Sequence, residues 1–223
     1  MYPHLNPSTM NSGNDFMSLL SENRRTVGAL TLALLFLFRS ACYNTLISYR
    51  ATSYRPYYEI SNPQLIKFLE NHHDIKNAHF YGVEDIVKTS LNITSECLRI
   101  ETEPSTNNPN KLFDIQKADC DGYASFFNSV CNYLLEHTGA NKNYRVQHLT
   151  GNMYLFRHEI NTAFRIPYMH NHNSPHDHHF NSIENLTTGE KTYVDPIMHR
   201  RFCLTNINVE SDFSPTSARR ANP

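Results

Sequence analysis

No C-x-x-C pair occurs among the five cysteines, Cys42, Cys97, Cys120, Cys131 and Cys203, which excludes a zinc ribbon and a thioredoxin-type redox pair. Five cysteines in 223 residues are also too few for a disulfide scaffold. No sustained basic block occurs. With 20 basic and 21 acidic residues the formal charge is −1, so nucleic-acid binding is not expected. An H-E-x-x-H pattern and an acidic calcium loop are both missing, and no calcium dependence follows. Tryptophan is absent and glycine is scarce, at 7 residues. Apolar residues reach only 39%, but 13 Phe and 13 Tyr suffice to build a core. The length suits one domain with appendages. No internal repeat is present.

One strongly apolar run stands out, "TVGALTLALLFLF" from Thr26 to Phe38, preceded by Arg24 and Arg25. As a helix, its 13 residues span roughly 20 Å, short of the ~30 Å hydrocarbon layer. The run fits a signal-peptide core, or a single-pass anchor extended to Ile47 with Arg39 snorkelling. Export or membrane anchoring, with the folded domain outside the cytoplasm, is the expectation. The chain divides accordingly: 1–23, a disordered polar N-terminus; 24–47, signal peptide or anchor; 48–61, a linker; 62–205, the folded domain; 206–223, a flexible tail.

Within 62–205, Asn62 and Pro63 open a helix and "VEDIVKTSL" reads as a second. "KADCDGYASFFNSVCNYLLE" carries Tyr123, Phe127, Val130, Cys131, Leu134 and Leu135 at helical spacing, and Gly139 ends that helix. "YRVQHL" and "MYLFRHEI" read as strands around "TGN". "FNSIEN" and "KTYVDP" form a hairpin joined by "LTTGE". The fold class is α+β, with helices packed on an antiparallel sheet.

Cys120 stands at the front of its helix, where unpaired amides and the dipole favour a thiolate. Asp119 is the natural cap. A thiol nucleophile also needs an imidazole to hold its proton. "DCDGYASFF", "HHFN" (His178 to Asn181) and "YVDP" (Tyr193 to Pro196) lie in the order Cys, His, Asp, and together this resembles the transglutaminase-like superfamily over roughly residues 115–198. Ala118 stands where that family commonly has Gly, and Phe180 where it usually has Trp; neither change removes a reacting group. The resemblance implies a papain-like core with Cys120, His178 and Asp195 as catalytic residues, a peptide or protein substrate, and no cofactor. Asp195 would orient His178, and His178 would deprotonate Cys120 and protonate the leaving group. The Cys120 amide, with Gln116 as a second candidate, would stabilise the oxyanion. The chemistry implied is amide hydrolysis or acyl transfer through a thioester.

Two other readings accompany this one. His170, His172, His176, His178 and His179 crowd one loop, and imidazole is a common transition-metal ligand, so loop 170–179 is a candidate metal site. His179 is also the alternative base, since alternation along a strand lets only one of the two neighbours face the thiol. A transglutaminase-like domain that binds peptide without turnover is the remaining alternative.

Overall fold

A computed structural model describes residues 24–72, 75, 82–101, 106–160 and 178–211. The 1–23 segment, the loop histidines His170, His172 and His176, and the end of the tail from 212 lie outside the described residues. The chain forms two compact units, Met1–Cys42 and Tyr43–Pro223.

The first unit contains helix α1, Arg24–Leu37. Leucine, alanine and phenylalanine favour helix, and no residue of its first turn is acidic. Of its described side chains, Leu30, Leu34, Phe36 and Leu37 are exposed. The Arg39 guanidinium lies over the Phe36 ring at 4.4 Å and donates to the Phe36 carbonyl at 2.9 Å. Among the described residues no helix is long and apolar enough to cross a membrane. Helix α2 follows, Arg39–Leu46.

The second unit is α+β, with helices and a mostly antiparallel sheet. In chain order it contains β1 (Ile47–Tyr54), α3 (Pro63–Asn71), α4 (Val83–Cys97), β2 (Arg99–Ile100), α5 (Pro109–Ile115), β3 (Lys117–Ala118) and α6 (Cys120–Thr138). Then come β4 (Tyr144–Leu155), β5 (His158–Glu159), β6 (His178–Asn185), β7 (Lys191–Val194), α7 (Pro196–Phe202) and β8 (Val209–Ser211). The sheet runs β7-β6-β4-β1-β8, with β5 beside β4. The pairings β7–β6, β6–β4 and β4–β1 are antiparallel, while β1 and β8 are parallel.

Three expectations need correction. Residues 48–61 are not simply a linker, because their first part belongs to β1, where Tyr49 is fully buried. The tail from 206 also enters the fold: Ile207 is buried, its amide bonds the Tyr193 carbonyl at 2.9 Å, and β8 pairs with β1. "TGN" does not separate two strands. β4 runs unbroken through it, and at Gly151 the Arg50 backbone approaches closely. A Cβ there would lie 2.1 Å from the Arg50 carbonyl oxygen and 3.0 Å from the Phe180 ring.

Helix α6 is the central element of the core. Tyr123, Phe126, Phe127, Val130, Cys131, Leu134 and Leu135 on it are all fully buried. Asp119 caps its start, accepting from the Gly122 amide at 2.9 Å, and Gly139 closes it at φ +72°. α6 is tied to the sheet by polar contacts. Asn181 on β6 donates to the Ala124 carbonyl at 3.1 Å and accepts from Asn128 at 3.2 Å, both within the buried interior. Asn181 is thus the structural member of "HHFN".

Candidate active site

Cys120 is the first residue of α6, directly after the capping Asp119. A helix leaves its first amides without internal partners, so the sulfur sits where the backbone offers donors. Burial nevertheless dominates. Cys120 is 2% exposed, and burial first, then the charges of Asp119, Asp121 and Asp195, push its thiol well above the usual range. The amide of Asp121, which bonds the sulfur, offsets only part of that. The resting group is therefore a thiol.

His178 opens β6, and Asp195 follows β7 as the cap of α7. The hairpin brings them together: His178 Nε2 lies 2.6 Å from Asp195 Oδ2, and both are buried. A carboxylate only accepts, so Nε2 carries the hydrogen. That leaves Nδ1 as the free lone pair, buried and without a hydrogen-bond partner among the described residues. Asp195 is held from both sides. Its Oδ1 accepts from the amides of Ile197 at 2.9 Å and Met198 at 3.1 Å. Its Oδ2 also accepts from the Tyr49 hydroxyl at 3.0 Å. Tyr49 has spent its hydrogen on Asp195, so the 2.5 Å contact with Tyr43 must be donated by Tyr43. Burial, then the Asp195 charge, push the Tyr49 phenol well above its ordinary value, which keeps it a donor. Tyr49 reaches across β4, and its ring packs 5.5 Å from His178 and 5.3 Å from Phe180.

The two adjacent histidines part company. His178 joins Asp195, whereas His179 Nδ1 lies 3.1 Å from His148 Nε2 and 3.3 Å from Asp121 Oδ1. His148 Nε2 is 3.7 Å from the same Asp121 oxygen. The register explains the meeting: Thr150 pairs with His179 and His148 with Asn181, so His148 and His179 are diagonal neighbours on one face. Burial depresses both imidazoles, that of His148 to about 3, and keeps them neutral. Burial also raises the Asp121 carboxyl, against the pull of Arg55, whose Nη2 is 3.6 Å from Asp121 Oδ2. The sequence shows Asp121 as a flank of Cys120, but it does not pair Asp121 or His148 with His179. The only available signal was a histidine inside the strand pattern "RVQHL", at a position that had to be buried.

Gln116 is exposed and stands at the end of α5 with a left-handed backbone, φ +58°. Its amide bonds the Leu112 carbonyl and its own carbonyl accepts from the Arg99 amide, while β3 lies between it and Cys120. No family model matches the chain, and no curated protein or solved structure matches it.

Proposed function

We propose that the chain is a cysteine-dependent amide hydrolase or acyltransferase with a papain-like arrangement of Cys120, His178 and Asp195. The observation that carries this reading is the buried His178–Asp195 bond of 2.6 Å, which leaves Nδ1 as the ring's only free base. Nδ1 and the Cys120 sulfur are not hydrogen-bonded among the described residues, so the two have to come together as substrate enters. The likeness of "DCDGYASFF", "HHFN" and "YVDP" to the transglutaminase-like superfamily supports the same assignment.

In this mechanism His178 Nδ1 takes the thiol proton as Cys120 Sγ attacks the carbonyl carbon of a peptide or side-chain amide. The ring becomes an imidazolium, stabilised through Nε2–H by Asp195. The Cys120 amide donates to the developing oxyanion. Collapse breaks the C–N bond, and His178 returns the proton to the departing amine, leaving a thioester. Water or a second amine, deprotonated by His178, then releases the acyl group. At 2% exposure the thiol is closed to a bulky substrate, so acylation requires the site to open.

Labelling with a thiol-directed electrophile near neutral pH tests the pair. In a chain carrying Cys42→Ser and Cys203→Ser, which removes the two exposed thiols, a peptide-like electrophile should modify Cys120 faster than Cys97 or Cys131, and His178→Ala should abolish that preference. Equal modification of the three remaining cysteines would overturn the assignment. Ammonia or amine release from peptide amides, lost in Cys120→Ser, distinguishes turnover from peptide binding alone.

The open apolar side chains of α1 support membrane attachment through the 24–47 segment. Co-sedimentation of the full chain with phospholipid vesicles should fall at least about tenfold in Leu34→Asp/Leu37→Asp, since burying each leucine contributes about 1.5–3 kcal/mol. Unchanged co-sedimentation would remove this part of the proposal.

A further inference from the structure

We propose that Asp121, His148 and His179 form a binding site for a divalent transition-metal ion of the zinc class, next to Cys120 but built from none of the three proposed catalytic residues. The three ligand atoms, Asp121 Oδ1, His148 Nε2 and His179 Nδ1, are mutually 3.1, 3.3 and 3.7 Å apart. Atoms so spaced lie on a circle of radius about 2 Å. An ion about 0.6 Å out of their plane would therefore be about 2.05 Å from each, within the ~2.0–2.2 Å of zinc–nitrogen and zinc–oxygen bonds. A regular tetrahedron with such bonds has edges of about 3.3 Å, close to the three separations.

A hydrogen-bonded trio accounts for the same atoms less well. Each imidazole nitrogen offers one hydrogen or one lone pair, so the His148–His179 contact at 3.1 Å uses up both. Asp121 Oδ1 is then left as a buried carboxylate oxygen with no hydrogen-bond partner, and it does lack one. A cation would satisfy it. Two imidazoles and a carboxylate are a donor set suited to zinc, cobalt or ferrous iron. Outer contacts reach two of the three ligands: Arg55 approaches the other Asp121 oxygen at 3.6 Å, and its backbone amide bonds the His148 carbonyl at 2.9 Å, whereas His179 Nε2 is buried without a hydrogen-bond partner among the described residues. A cavity of about 290 Å³ lined by Tyr54, Arg55, Asn128, Asn132 and His148 borders one of the three ligands.

The test uses the full chain carrying His170→Ala, His172→Ala and His176→Ala, which removes the competing loop ligands. Equilibrium titration with zinc should show one ion per chain. X-ray absorption of the zinc-loaded protein should show two imidazoles with oxygen neighbours; this readout needs no substitution within the cluster. His148→Asn and His179→Asn, checked for folding by circular dichroism, should each weaken binding by more than the about 10–100-fold that loss of an outer-shell partner costs. No bound ion, fewer than two imidazoles, or affinity unchanged in a folded His148→Asn protein would overturn the site.

Discussion

Four hydrogen bonds converge on the Asp195 carboxylate, from His178, Tyr49 and the amides of Ile197 and Met198. The amides fix where the carboxylate sits, and the two side chains share one oxygen. Tyr49→Phe removes one of them and leaves Tyr43 without its acceptor. We expect a stability loss of about 1–3 kcal/mol by urea unfolding. On the proposed mechanism kcat should fall about tenfold with KM unchanged, equivalent to about 1.4 kcal/mol of lost transition-state support. Asp195→Asn should slow turnover far more, because an amide can present its NH₂ to Nε2 and reverse the tautomer, moving the hydrogen to Nδ1. Pairing of His178 with Asp195 was legible in the sequence: two motifs, 17 residues apart, on strands joined by a short turn. Tyr49 was not, since nothing local separates it from the other tyrosines near it; its role arises from strands that meet only in three dimensions.

The elements show the same division. Helix α6 begins at Cys120 and ends before Gly139 as its punctuation indicates, because capping is local chemistry. Strand β1 was read as part of an anchor and a linker, because "ISYRATSY" has no clean alternation and follows an apolar run. It also carries an irregularity between Ala51 and Ser53, which breaks the two-residue period that betrays a strand. Asp119→Ala should cost about 1 kcal/mol through loss of the cap on Gly122, measured by urea unfolding. Gly151→Ala is a harsher test. A methyl 2.1 Å from the Arg50 carbonyl cannot be accommodated without separating β1 from β4. We expect destabilisation of about 3 kcal/mol or more, or no soluble folded protein. A stable Gly151→Ala protein would show that the β1–β4 register differs from the one described.

For the molecule as a whole, burial sets the response to alkali. Burial pushes the Cys97 and Cys131 thiols up to about 12, and that of Cys120 also moves well upward. In the unfolded chain a thiol ionises near ~8.5. Between these values the unfolded state has released protons that the folded state still holds, so stability is fully present below about pH 8.5 and is lost as pH rises above it. Each buried thiol contributes a slope of up to about 1.4 kcal/mol per pH unit. Urea unfolding from pH 7 to pH 10 should show this decline. Cys131→Ala should lower stability at pH 7 through a small cavity and flatten the decline by one proton. A slope unchanged by that substitution would contradict the burial of Cys131. The Asp121–His148–His179 cluster was illegible at this scale: its members are scattered over a helix and two strands, with no fixed spacing to mark them.

The short parallel pairing of β8 with β1 also bears on how the chain can be shortened. Stopping it at Thr205 would strip one flank of the sheet and leave a row of unpaired amides and carbonyls along β1. Such a truncated protein should self-associate through that rim, giving oligomers by light scattering at concentrations where the full chain does not. Lysine in place of Ser48 or Ala51 should suppress them.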